Sequence, residues 1–193
     1  MSRYSEEITK AMNFLAEDQR VIFLGQSVAY PGHIMTETLK DIPLERKIEL
    51  PVFEDVQLGI STGLALAGYL PVSIYPRLDF LIIAVNQLVN HLDKLSEMSA
   101  QQFNPKVIIR TMVGSNVPLQ SGPQHTQDHT EALRKLVTNI DIYRLETYDQ
   151  IMPAYQAAYA ANKSSILIEA PPLRSGYEEV PLLSGPAAFQ LMS

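Results

Sequence analysis

Five short runs of branched apolar residues recur along this chain, and longer segments with helical spacing lie between them. The runs are RVIFLG at 20–25, PVSIY at 71–75, KVIIRT at 106–111, IDIYRL at 140–145 and SSILIEA at 164–170. Each is short, rich in β-formers and bounded by turn formers, which reads as a buried strand. Helical patterns occupy 5–16, 54–67, 80–95, 130–137 and 148–161. This alternation predicts a doubly wound α/β fold, with a mostly parallel sheet and helices on both faces. The α/β domain is expected over 1–170. Residues 171–193 hold four prolines and two glycines and read as an extended C-terminal tail over the surface or onto a partner, with no second domain after it.

A length of 193 residues is enough for one full core. The net charge of -6 argues against a nucleic-acid partner, which needs a basic face. The absence of cysteine removes disulfides, thiolate metal sites and a cysteine nucleophile, and fits a cytoplasmic protein. The first twenty residues are polar and acidic with helical periodicity, unlike a signal peptide. Glycine, proline or polar residues break every apolar stretch well before membrane-spanning length, so no membrane span is expected.

One stretch stands out. In ELPVFEDVQLGISTGLALAG, starting at Glu49, the acids Glu54 and Asp55 precede a run of small and apolar residues. Pro51 places them in the first turn of a helix, where the dipole favours negative charge. Two exposed acids complementing the dipole is one reading; a carboxylate that works on a ligand is the other. Val56, Ile60, Gly63, Leu64 and Ala67 form one stripe. Glycine in a helix costs about 1 kcal/mol relative to alanine, so this helix is expected to pack deeply or to meet its like across an interface. An acid at its buried end needs a partner, and a basic ring nitrogen of a cofactor is one such partner.

Several blocks carry a family resemblance. LGQSVAYPGH, ELPVFEDVQLGISTGLALAGYLPV, LDFLIIAVNQLVNHLDKL, MSAQQFN, VIIRTMVG and SGPQHTQ resemble, in order and spacing, motifs of the pyrimidine-binding domain of thiamine-diphosphate-dependent 2-oxoacid dehydrogenase beta subunits, shared more distantly with transketolase. The resemblance covers about residues 20–170. It implies that Glu54 is the catalytic glutamate, bonding N1' of the cofactor's aminopyrimidine. The bond favours the imino tautomer, whose nitrogen takes the proton from C2 of the thiazolium to leave the ylid. Phe80, 26 residues after Glu54, falls where the family stacks an aromatic on the pyrimidine; a core aromatic at a helix start is the plainer reading. Val52 falls at an apolar contact to the same ring. His125, in SGPQHTQ, matches an active-site histidine near the substrate and the thiazolium; without the family it reads equally as a solvated loop histidine.

The chain also departs from the pattern. Gln26 stands where the family has an acid in a polar network between paired active sites, which puts proton communication in doubt. Arg77 replaces an aromatic and reads either as a solvated strand-end charge or as a group for a substrate phosphate or carboxylate. No Gly-Asp-Gly motif is present; VGSNVP, the nearest match, lacks the acid. The resemblance therefore implies a free-standing pyrimidine domain and a partner subunit with the Gly-Asp-Gly motif, which holds the thiamine diphosphate tail through Mg²⁺. Two copies of each chain are expected, with the site at the interface.

The implied function is one half of a split enzyme acting on 2-oxo acids or ketoses, by decarboxylation and acyl or ketol transfer. An inactive scaffold or regulatory subunit is the alternative. A zinc hydrolase is a remote one: HTQDH sets His125 and His129 four apart with Asp128 between, but offers no third ligand. Thr126 or Asp128 reads there as a helix N-cap, with Glu131 completing a capping box.

Overall fold

The computed structural model describes residues 2–115 and 121–171. The expected tail, apart from its first residue, and the second half of VGSNVP lie outside the described residues. The elements run α1 (Arg3–Ala16), β1 (Val21–Gly25), α2 (Ile34–Glu37), β2 (Lys47–Glu49), α3 (Glu54–Leu66), β3 (Leu70–Ile74), α4 (Leu78–Leu81), α5 (Leu95–Met98), β4 (Ile108–Met112), α6 (Thr130–Leu136), β5 (Asp141–Leu145), α7 (Tyr148–Ala160) and β6 (Ser165–Glu169).

The six strands form one sheet in the order β2-β1-β3-β4-β6-β5, and every pairing is parallel. The doubly wound α/β reading therefore holds, with the sheet wholly parallel. Alternate side chains enter two cores. On one face Phe23, Val72, Ile108 and Leu167 pack with Met12 and Leu15 of α1 and with Ile151 and Tyr155 of α7. On the other, Ile109, Ile166 and Ile168 pack with Leu58 of α3, with Leu81 and Leu88, and with Leu133 of α6. Among the described residues, no helix is long and apolar enough to cross a membrane.

The chain leaves β1 for the β2 edge and returns to β3 on the other side of β1. A crevice opens at such a reversal, beyond the C-terminal strand ends, where ligands bind in open α/β sheets. Gly25 makes the turn there: its φ is +142°, and a Cβ would lie 2.1 Å from the Ile74 carbonyl oxygen.

Two helical expectations need correction. Residues 80–95 do not form one helix. After α4 the chain tightens into a 3-10 turn at Ile82–Ala84, widens into a π-helix at Gln87–Leu92 and resumes in α5. No proline or glycine interrupts this stretch. The widened turn lets buried Asp93 accept the backbone N–H groups of Thr138 and Asn139, at 3.0 and 2.7 Å.

The stripe on α3 faces the wrong way for burial. Its buried residues are Glu54, Gln57, Leu58, Ser61 and Thr62, whereas Val56 and Ile60 are exposed. The donors of the polar face are satisfied from within, while Gln57 Oε1 has no hydrogen-bond partner among the described residues. Gln57 Nε2 donates to Ser73 Oγ and the Ile74 carbonyl, Ser61 to the Gln57 carbonyl, and Thr62 to the Leu58 carbonyl. Among the described residues nothing crowds Gly63, and Gln87, at 3.9 Å, is the sole approach to Gly59.

Candidate functional site

The residues singled out in the sequence sit on segments that follow successive strands at the C-terminal side of the sheet. Glu54 follows β2 and opens α3, Arg77 and Phe80 follow β3, and His125 lies in the connection after β4.

Glu54 is 3 % exposed, while Val52 and Phe53 beside it are 71 % and 63 % exposed. Asp55 is only half-buried, so the two acids are not an exposed pair at the helix mouth. Tyr75, itself fully buried, donates its hydroxyl to the Glu54 backbone carbonyl at 3.2 Å and fixes the first turn of α3. Burial, reinforced by the Glu54 and Asp55 charges, pushes the Tyr75 phenol above its ordinary range, so it stays a donor. The Glu54 carboxylate has no hydrogen-bond or ion-pair partner among the described residues. A carboxylate largely withdrawn from water is favoured by a partner.

Phe80 and His125 meet edge-to-face, with ring centroids 5.4 Å apart and planes at 83°. Both are half-buried. Asp79 secures the approach: its Oδ1 accepts the Gln127 backbone N–H at 3.2 Å and the Gln127 side-chain amide at 3.0 Å. Gly114 is obligatory beneath them. A Cβ there would lie 1.7 Å from the His125 carbonyl oxygen and 3.1 Å from Arg77 Cδ. Arg77, Phe80 and His125 thus gather at one mouth. The described contacts do not join Glu54 or Val52 to them side chain to side chain; the link is Tyr75, which precedes Arg77 on the same loop.

Arg77 is half-buried rather than solvated. Its Nη1 donates to the Pro76 carbonyl at 2.7 Å and to Met112 Sδ at 3.3 Å, and lies 3.4 Å from His33 Nε2. Sequence reasoning missed His33, since a lone histidine after Pro-Gly carries no pattern. Burial chiefly, then the charges of Arg77 and Arg110, depress its pKa to about 4.

Gln26 is buried, and its Nε2 lacks a hydrogen-bond partner among the described residues. The nearby carboxylate belongs to Glu49 instead. It accepts the backbone N–H groups of Ser27, Val28 and Ala29 at 2.7 to 2.8 Å and holds the loop that Gln26 begins.

The HTQDH stretch does not form a metal centre. Asp128 is engaged by the Thr130 backbone N–H and by Arg144, and among the described residues no group of three or more candidate ligands exists. Helix α6 begins at Thr130 as expected, but its N-cap is His129 rather than Thr126 or Asp128; Asp128 Oδ1 accepts the Thr130 N–H, and the expected capping box with Glu131 does not form.

The family described as transketolase, pyrimidine binding domain, matches residues 3–173. The chain belongs to the transketolase pyrimidine-binding-domain family. This pyrimidine-binding domain is 31 % identical over 121 residues to the 3-methyl-2-oxobutanoate dehydrogenase subunit beta of Mycobacterium tuberculosis, covering 61 % of this chain and 34 % of the relative. It is 26 % identical over 171 residues to the pyruvate dehydrogenase E1 component subunit beta of the alga Gracilaria tenuistipitata, covering 86 % and 52 %. The domain thus spans between a third and about half the length of these curated relatives. The fold is also that of a split-gene transketolase solved as an inactive beta4 tetramer, with a TM-score of 0.66, 16 % identity, and coverage of 94 % of this chain and 54 % of that one. The Campylobacter jejuni transketolase gives a TM-score of 0.67 at 17 % identity, with coverage of 88 % and 26 %.

Proposed function

We propose that this chain is the pyrimidine-facing subunit of a split thiamine-diphosphate enzyme acting on 2-oxo acids or ketoses. The observation that carries the reading is the Glu54 carboxylate, 3 % exposed and without a partner among the described residues. The side chains present fit the aminopyrimidine. Glu54 offers an acid to a ring nitrogen, Phe80 a half-buried aromatic face, and Val52 an exposed apolar side chain. When bound, thiamine diphosphate supplies the electron sink that cleavage beside a carbonyl requires.

The chain's own residues then have separate tasks. Glu54 holds a proton between its carboxyl and the ring nitrogen, in a dry place where a charge-assisted bond is strong. Tyr75 keeps that carboxyl in register through the Glu54 backbone. Phe80 packs on the ring and, edge-on, positions His125. His125 faces the substrate and moves or donates a proton there. A partner subunit with a Gly-Asp-Gly motif holds the diphosphate and Mg²⁺, since this chain has no such motif.

The bare outer face of α3 supports two copies of the chain in the assembly. Val56 and Ile60 are exposed there, next to exposed Ile82 and Ile83 on the adjoining turn. Apolar surface of this kind marks an interface, and the uncrowded Gly63 lets a second backbone come near.

Reconstitution tests the reading. The chain is mixed with a Gly-Asp-Gly subunit, thiamine diphosphate and Mg²⁺, and cofactor binding and 2-oxo acid or ketose turnover are measured. Both are expected, and Glu54→Ala abolishes turnover. Full turnover with Glu54→Ala defeats the proposal, and cofactor binding without turnover in the unaltered pair identifies an inactive scaffold.

A further inference from the structure

Lys106 is unlike the other lysines of the chain. Lys10, Lys94 and Lys163 each face a carboxylate oxygen at 2.6 to 2.9 Å, and Lys40 and Lys135 are exposed to water. Lys106 is half-buried and has no carboxylate at such a distance among the described residues. Its Nζ donates to the Tyr159 carbonyl, near the end of α7, and lies 5.4 Å from the centre of the Tyr159 ring. An ammonium carries three donors, so one carbonyl satisfies only part of it.

The neighbouring charges do not restore the balance. Arg20 Nε and Nη2 fork onto both oxygens of Asp18 at 2.7 to 3.2 Å, and the Tyr159 hydroxyl donates to Asp18 Oδ2 at 3.1 Å. That carboxylate is engaged by Arg20 rather than by Lys106. Burial first, and then the Arg20 charge, depress the Lys106 pKa, and Asp18 offsets only part of this. Lys106 therefore holds a larger share of free amine near neutral pH than an ordinary lysine does.

The amine also lines a cavity of about 390 Å³, at the N-terminal ends of β1, β3 and β4, across the sheet from Phe80 and His125. Ala65, Gly68, Ala160 and Ala161 form part of its wall. Nothing among the described residues lies within 4 Å of a Cβ placed on Gly68. These small residues leave room for a short acyl chain beside Lys106. Arg20 lines the same cavity, and its Nη1 lies outside the fork to Asp18, where it can donate to a carbonyl oxygen that gains charge.

We propose that Lys106 is a nucleophilic lysine, a modification site that takes an acyl group from an activated donor such as a thioester. The lone pair of the free amine attacks the thioester carbonyl carbon. The C–S bond breaks, an amide forms, and the departing thiolate takes up the proton that the nitrogen loses. The product is uncharged, so Nζ no longer serves the end of α7 as a cation. This proposal does not depend on the cofactor reading.

The test treats the full chain with a trace of S-phenyl thioacetate across about pH 6 to 11 and follows each lysine by peptide mass spectrometry. Near pH 7.5, Lys106 should be acylated about 3-fold faster or more than Lys40 and Lys135, because its free-amine fraction rises by more than its intrinsic nucleophilicity falls. The midpoint of its pH profile should lie below the ordinary 10.5. Arg20→Gln should raise that midpoint and slow Lys106 about 2-fold or more, and Arg20→Lys, which keeps the charge, should preserve the rate. The Arg20 side chain is 65 % exposed, so neither change should cost the fold, which thermal melts verify. Lys47 is the internal control: burial lowers its pKa too, but Asp41 rather than Arg20 acts on it, so Arg20→Gln should leave its rate unmoved. Lys106 labelled no faster than Lys40 and Lys135, a midpoint at or above the ordinary value, or a Lys106 rate indifferent to Arg20→Gln would each overturn the proposal.

Discussion

Arg110 Nε lies 2.5 Å from Glu169 Oε1, joining neighbouring strands β4 and β6 through an ion pair without solvent access. Arg110 Nη1 reaches further, to Thr38 Oγ1 at 2.9 Å, and ties the end of α2 to the sheet. Removing one member leaves the other charged and buried. Arg110→Met or Glu169→Leu is expected to cost about 3–5 kcal/mol, with the double variant less damaged than the two losses added together. Urea unfolding of the three variants measures this.

Glu54 gives the opposite expectation. Its carboxylate has no protein partner among the described residues, so Glu54→Gln should leave the isolated chain at least as stable, by up to about 1 kcal/mol. The same change should abolish turnover in the assembled enzyme, a trade between stability and activity common at working sites. Denaturation midpoints and a reconstituted assay check the two halves. A destabilised isolated variant would mean the carboxylate has a protein partner.

Gly114→Ala should dislodge the segment that carries His125. The new methyl would fall 1.7 Å from the His125 carbonyl oxygen, which is backbone and cannot swing aside. The expected outcome is loss of the His125 ring-current shift from Phe80, with a stability cost of about 1–3 kcal/mol. Proton NMR of the His125 ring reports it directly.

Acid should weaken the fold in two stages. His33 binds a proton near its ordinary 6.5 when unfolded but only at about 4 when folded. Between those values the unfolded chain holds the extra proton, so stability falls as pH drops from about 6.5 towards 4 and then levels. Asp18 acts lower: its bond to Arg20 holds its carboxyl far below the usual 3.8, so its contribution is present above that value and is lost as pH falls beneath it. Thermal melts of the parent and His33→Asn across pH 4 to 7 should show the upper stage vanish in the variant.

Ile60→Arg on the outer face of α3 should leave the monomer's stability within about 0.5 kcal/mol. It should shift the chain from paired to single in sedimentation, because Ile60 is exposed within one copy.

Strand positions were legible because branched runs bounded by turn formers leave little else; β1, β3, β4, β5 and β6 lie within a residue or two of the expected spans. β2 was not legible. Lys47–Glu49 is too short to show an alternation, and it becomes a strand only by pairing with Phe23 to Gly25. The orientation of α3 was misread because apolar residues were assigned to the core by default. Here the sheet side carries Gln57, Ser61 and Thr62, whose donors all bond internally, which frees Val56 and Ile60 to face outward. The break after Ala84 depends on bonds between Asp93 and Thr138, a partner 45 residues away that no local window contains. Glu54, Phe80 and His125 were legible only as matches to a family's motifs. The approach of His33 to Arg77 is a product of the fold alone.

The candidate side chains hang from several strand ends, and the segment after β3 bonds to the segments on both sides of it. Glu49 anchors 27–29, Tyr75 anchors the start of α3, and Asp79 anchors Gln127. Such a scaffold ties its loops together through the β3 end, so a substitution there is felt both at the first turn of α3 and at Gln127.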